Sequence, residues 1–209
     1  MDAALRQFAS ITQTEYHQLN SAAYHRSYAL VSQTFRVGKS SITTRMSRLL
    51  YALSDTFRPK NQAVIGSAEA NALIWLALPV LPTAHKILGM DLDEEGNSKT
   101  SANLTSLGAE KITIKTLDGR EAKSEFKDKI DLLFIDVWSA GNGKSDYFDI
   151  LEQAYPALAE GALILAHDIT YPKFRNDLAG YLCMVRNENR FRCSCSIPID
   201  RYGLEVTIR

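Results

Sequence analysis

The stretch Asp131-Leu132-Leu133-Phe134-Ile135-Asp136 decides the fold. An apolar run of strand length that stops at an acid reads as a strand buried on both faces, as in a parallel sheet. The pattern occurs twice more, in Ile87-Leu88-Gly89-Met90-Asp91 and in Ala162-Leu163-Ile164-Leu165-Ala166-His167-Asp168. Ligands of open α/β sheets bind beyond the carboxyl ends of the strands. Asp91, Asp136, His167 and Asp168 are therefore expected to face one crevice.

Outward from these runs, strands are expected at 63–65 and 111–115, and helices at 71–78, 94–107, 147–158 and 173–186. A short helix is expected near 120–126. Gly108 reads as the cap that ends one of these helices. Residues 191–198 and 203–208 read as two closing strands, a hairpin that adds antiparallel strands at one edge. Upstream, residues 1–36 carry apolar residues at helical intervals together with Tyr16, Tyr24 and Tyr28. Residues 37–41 read as a loop with a helix N-cap, and 42–57 as a helix closed by Pro59. The expected fold is α/β: a doubly wound sheet with a C-terminal antiparallel hairpin and an N-terminal helical lid. The expected division is 1–58 for the cap and 59–209 for the catalytic part.

Composition narrows the function. Of 209 residues 45% are hydrophobic, enough for a full core. Lys+Arg 24 balances Asp+Glu 24, and a general binder of nucleic acid or of anionic membrane would carry a basic excess. Three cysteines without C-x-x-C spacing make neither a disulfide framework nor a zinc site. The start has no basic segment leading into an apolar one, and the longest apolar run is broken by Pro79. The expectation is a cytoplasmic protein with a small-molecule partner and no nucleic-acid or membrane partner.

These residues, in this order, resemble a class I S-adenosylmethionine (SAM) methyltransferase. More narrowly, they resemble the small-molecule O-methyltransferases of the catechol and caffeoyl-CoA type and their bacterial relatives. The resemblance rests on Ala63-Val64-Ile65-Gly66-Ser67-Ala68-Glu69-Ala70, on Leu133-Phe134-Ile135-Asp136-Val137-Trp138 and on the ending Gly203-Leu204-Glu205-Val206. It implies a Rossmann-like fold and SAM as cofactor, held by Gly66, Ser67, Glu69, Asp91, Asp118, Gly119, Asp136 and Trp138. Asp91 would take the ribose, and Asp118-Gly119 the adenine amino group. Asp136, His167, Asp168 and Tyr171 would face the acceptor and carry the catalysis. A homodimer follows only by the same analogy.

The chain departs from the family at several places. Ala68 and Ala70 stand where the family has glycines, and Val64 where it has an acid. His167 and Asp168 stand where metal-dependent members have Asp and Asn. Two carboxylates and an imidazole are compatible with Mg²⁺ or a softer metal, or His167 can act as a general base; no metal ligand is assigned. Ser139 replaces the family's lysine after the Trp, so Lys144 would have to reach back from a flexible loop. Methyl transfer to an oxygen is the leading expectation. The alternatives are a SAM-consuming cyclase or lyase that releases methylthioadenosine, and a non-catalytic interaction protein.

Overall fold

The computed structural model describes residues 5–6, 9–10, 19–36 and 42–209; Tyr16 and the loop at 37–41 lie outside them. Seven strands form one sheet: β1 (Asn61–Ile65), β2 (Lys86–Asp91), β3 (Thr113–Thr116), β4 (Ile130–Ile135), β5 (Leu158–His167), β6 (Cys193–Ile197) and β7 (Leu204–Ile208). Their order across the sheet is β3-β2-β1-β4-β5-β7-β6. The first five are parallel, and β7 runs antiparallel between β5 and β6. The C-terminal strands thus close one edge as an antiparallel pair, as expected.

Among the described residues, the helices with defined bounds are α1 (Ser21–Thr34), α2 (Thr44–Phe57), α3 (Asn71–Ala77), α4 (Glu94–Leu107), α5 (Asp146–Ala154) and α6 (Ala179–Val185). They cover both faces of the sheet. Alternate strand residues sort the core in two: Val64, Leu132, Phe134, Leu163 and Leu165 pack towards α2 and α3. Ala63, Ile65, Leu133, Ile135 and Ile164 pack towards α5 and α6. Period-two alternation with both faces apolar is what a sheet sandwiched between helix layers requires.

Several bounds differ from the sequence expectation, each for a local reason. α2 starts at Thr44 because the Thr43 side chain accepts from Met46 N–H, the N-cap hydrogen bond, which leaves Ile42 outside the helix. α5 stops at Ala154, where Pro156 tightens the chain into a 3₁₀ turn (Tyr155–Ala157) that leads straight into β5. The helix expected at 173–186 is a 3₁₀ turn at Pro172–Phe174 followed by the shorter α6. The segment near 120–126 is a 3₁₀ helix, Gly119–Glu125.

α1 packs beside the sheet domain through its aromatic residues. Tyr24 is 2% exposed, contacts the Tyr51 and Trp75 rings and shares a hydrogen bond with Ser47. Tyr28 stacks on Trp75. Cys193 and Cys195 are half-buried free thiols of β6, and Cys183 is exposed.

Candidate active site

The strand order reverses between β1 and β4, and there the two strand ends lie side by side. Asp136 N–H donates to the Ile65 carbonyl at 2.9 Å. Gly66 follows with φ +81, and a Cβ at this position would lie 2.0 Å from the Asp136 carbonyl oxygen. Only glycine permits that approach. The next residues turn tightly, with Glu69 at φ 54 and Ala70 at φ 65. The loop therefore keeps a left-handed backbone of the kind glycine favours, although alanine and glutamate stand there.

A pocket of about 600 Å³ opens above these ends. Gly66, Glu69, Asp91, Asp118, Gly119, Asp136, Trp138, His167 and Asp168 all line it. Asp91 ends β2; its Oδ2 accepts from Ala68 N–H at 3.1 Å and its Oδ1 from Asp93 N–H at 3.0 Å. Each oxygen keeps a lone pair for a ligand hydroxyl. Asp118 caps the 3₁₀ turn after it and pairs with Arg120. The Arg120 guanidinium holds its carboxyl below the usual carboxylate range. Trp138 is 60% exposed at the pocket wall.

Two expected residues lie elsewhere. Ser67 is buried beneath the loop, outside the pocket wall, with its N–H donating to the Met90 carbonyl and its Cβ packed over Gly89. Tyr171 packs behind Tyr202 and Phe174, with ring centroids 5.3 and 5.6 Å away, and those two rings face the pocket in its stead. Neither Tyr24 nor Tyr28 lines the pocket.

The centre of the site is a charged cluster. Asp136 Oδ2 lies 2.9 Å from His167 Nδ1. Lys144 Nζ lies 2.6 Å from Asp136 Oδ1 and 2.6 Å from Asp168 Oδ2, and donates to Tyr147 OH at 2.9 Å. The sequence reading left this lysine in a flexible loop, and the structure corrects that. Ser139 and Gly143 exchange two backbone hydrogen bonds, Asp146 accepts from Ser139 Oγ and Asn142 Nδ2, and Asp177 accepts from Lys144 N–H. Gly143 makes the turn at φ +58. The loop is pinned, and the Lys144 side chain is only 3% exposed.

Burial opposes the charge on Asp136, yet Lys144 and His167 overcome it and hold its carboxyl far below the usual range. Burial likewise opposes charging of His167, and the Asp136 carboxylate outweighs it, so the imidazole titrates above its ordinary 6.5. Burial works against the Lys144 charge too, but the Asp136 and Asp168 carboxylates raise its pKa above the ordinary value. Burial pushes the Tyr147 phenol well up, so it stays neutral. His167 Nε2 is buried and has no hydrogen-bond partner among the described residues. Asp168 adopts φ 66, a strained conformation for a residue with a side chain, at the point where it meets Lys144.

Sequence reasoning also passed over Asn71, which opens α3 and lines the pocket with its Nδ2 lacking a partner among the described residues. A buried orphan donor beside a carboxylate-rich crevice suits a ligand that carries both acceptors and hydroxyls, so the residues present fit SAM. The metal question has the opposite answer. One ligand atom each from Asp136, His167 and Asp168 lie within 4.8 Å of one another. Lys144 already bonds both carboxylates, so with the lysine in place the set does not fit a divalent ion.

Among solved structures, cofactor-bound Rv0187 from MTB superposes with a TM-score of 0.71 at 15% identity, over 90% of this chain and 89% of that one. The SAH-bound Podospora anserina methyltransferase PaMTH1 gives 0.70 at 11% identity, over 99% and 94%. The O-methyltransferase from Bacillus cereus in complex with SAH gives 0.69 at 14% identity, over 100% and 99%. At these identities the likeness concerns the fold. No curated protein sequence matches the chain. The sequence pattern of the family described as a methyltransferase domain matches residues 63–169, just over half the chain, from Ala63, the third residue of β1, to the turn after β5. With that span enclosing Gly66, Asp91, Asp136 and His167, the chain belongs to the methyltransferase domain family.

Proposed function

We propose that this SAM-dependent methyltransferase transfers its methyl group to an oxygen of a small molecule, with His167 as the base. One observation carries the proposal: the buried imidazole is held at Nδ1 by Asp136 and unpartnered at Nε2, on the wall of the pocket that Asp91 also lines. A base whose orientation is set by a third group is the arrangement that general-base catalysis needs.

Bound SAM supplies a methyl group on a sulfonium sulfur, open to in-line attack. The chain's residues hold the reactants in position. Asp91 would receive the ribose hydroxyls. Asp118, Gly119 and Trp138 would hold the adenine. Glu69 and Asn71 would hold the methionine end, and Val64, fully buried, has no part in it. His167 Nε2 takes the proton of the acceptor hydroxyl as its oxygen attacks the methyl carbon. The electron pair of the broken carbon–sulfur bond stays on sulfur. Asp136 fixes the imidazole tautomer that makes Nε2 the accepting atom. A pocket of about 600 Å³ that also takes SAM leaves room for a small acceptor. Residues 1–58 act as a cap on the catalytic part at 59–209, with α1 seated on Trp75.

The test is incubation of the purified chain with SAM and a panel of phenols, catechols and hydroxy acids, read by mass spectrometry. Equimolar S-adenosylhomocysteine and methyl ether are expected. Methylthioadenosine formed without any acceptor would instead assign cyclisation or lysis of SAM. Failure to bind SAM would leave an interaction protein.

A further inference from the structure

Asp136, His167 and Asp168 make up a donor set of the kind that holds a divalent cation, and a cation already sits among them. We propose that the Lys144 ammonium permanently takes the place of a metal ion at this centre, joining the two carboxylates and closing the site to divalent metals.

Four observations support this. The ammonium lies 2.6 Å from one oxygen of each carboxylate, so it bridges them as an ion would. Its third N–H goes to Tyr147 OH at 2.9 Å, so all three donors are used and none is left to draw it towards solvent. The Tyr147 and Phe174 rings stand 5.1 and 5.3 Å from Nζ, and aromatic faces at that range favour a cation. The backbone is locked as well: Asp177 Oδ2 accepts from Lys144 N–H, and a Cβ at Gly143 would lie 2.1 Å from that same oxygen. A second cation brought to these carboxylates would meet a like charge in a buried setting, where screening is weak.

Lys144 is thus a positioning residue. It holds Asp136 in the orientation that leaves Oδ2 for His167, and its positive charge stands between the two neighbouring carboxylates. The inference goes beyond the proposed methyl transfer and does not depend on it, since its readout is metal binding.

The experiment is a Mn²⁺ titration of the full chain followed by electron paramagnetic resonance, for the wild type, Lys144→Ala, Asp168→Asn and the double variant. The wild type is expected to take up no Mn²⁺ that Asp168→Asn abolishes. Lys144→Ala is expected to bind a Mn²⁺ ion at least about tenfold more tightly than the wild type, and to lose it when Asp168→Asn is added. Wild-type uptake that Asp168→Asn removes would overturn the proposal, and so would a folded Lys144→Ala without the gain. If Lys144→Ala does not fold, the wild-type titration alone decides: uptake sensitive to Asp168→Asn overturns the proposal, and its absence supports it.

Discussion

His167 is buried, yet it titrates above 6.5 because Asp136 faces it. As a base it must be neutral, so turnover should rise with pH through an apparent pKa above 6.5 and then level off. Lys144, Asp168, Asp200 and Tyr202 also surround the ring, and the first of these opposes its charging. His167→Gln should lower kcat by about 10²- to 10⁴-fold and abolish that rise, while SAM binding measured by calorimetry stays nearly unchanged. Asp136→Asn should do more. It leaves the Lys144 ammonium buried with one carboxylate fewer, and breaking a buried ion pair costs about 3–5 kcal/mol. Asp136 is 22% exposed at its side chain, which places the loss near the low end; urea unfolding would measure it. Asp91, Asp136, His167 and Asp168 were legible because each ends an apolar run, and strand ends meet in an α/β sheet. Lys144 was legible only as a residue that would have to reach back from a flexible loop. It comes eight residues after Asp136, and its sequence neighbours do not name the contact that pins it. The preceding Gly141 and Gly143 were the available signal of a turn, for both have positive φ.

The elements show where local preference held and where it gave way. Strands were readable from apolar runs, and α4 with its Asp93 N-cap and Gly108 C-cap came out at 94–107 as expected. The segment at 173–186 broke into pieces because Pro172 and the turns after it carry Phe174 and Leu178 into the core, and packing outweighs propensity there. Gly143 is the residue on which the Lys144 loop turns. Gly143→Ala puts a Cβ onto Asp177 in a left-handed backbone. It should cost about 1–3 kcal/mol and lower kcat by loosening the lysine, as denaturation and rate measurements on one preparation would show. The C-cap of α2 makes the opposite case. Arg58 sits at φ 50 with open solvent around it, and its bond to Asp55 is exposed and worth little. Relief of about 1–2 kcal/mol of left-handed strain exceeds the entropy glycine adds to the unfolded chain, about 0.5–1 kcal/mol. Arg58→Gly should therefore stabilise by about 0.5 kcal/mol, the difference of those two terms, seen as a small rise in Tm.

At the scale of the molecule, charge links folding to pH in two directions. Asp118, Asp136 and Asp200 have folded pKa values below the ordinary 3.8. Their contribution is present above 3.8 and is lost as pH falls through the folded values. His167 is raised, so its contribution is complete below 6.5 and fades as pH climbs through its folded value. Thermal stability should thus peak between 3.8 and 6.5, on the acid side of the pH range where His167 is neutral and turnover is fastest. Melting curves across pH beside a rate profile would check the offset; coincident maxima would contradict it. The same division of causes separates sequence from structure. The sequence by itself determined the sheet class, the closing antiparallel strands and the acids at the strand ends, because burial periodicity and strand-end chemistry are local. Only the tertiary structure decided what stands between those acids. A lysine's destination depends on where its loop is pinned, here by Asp177 and Gly143, and that contact joins residues 33 apart in the chain.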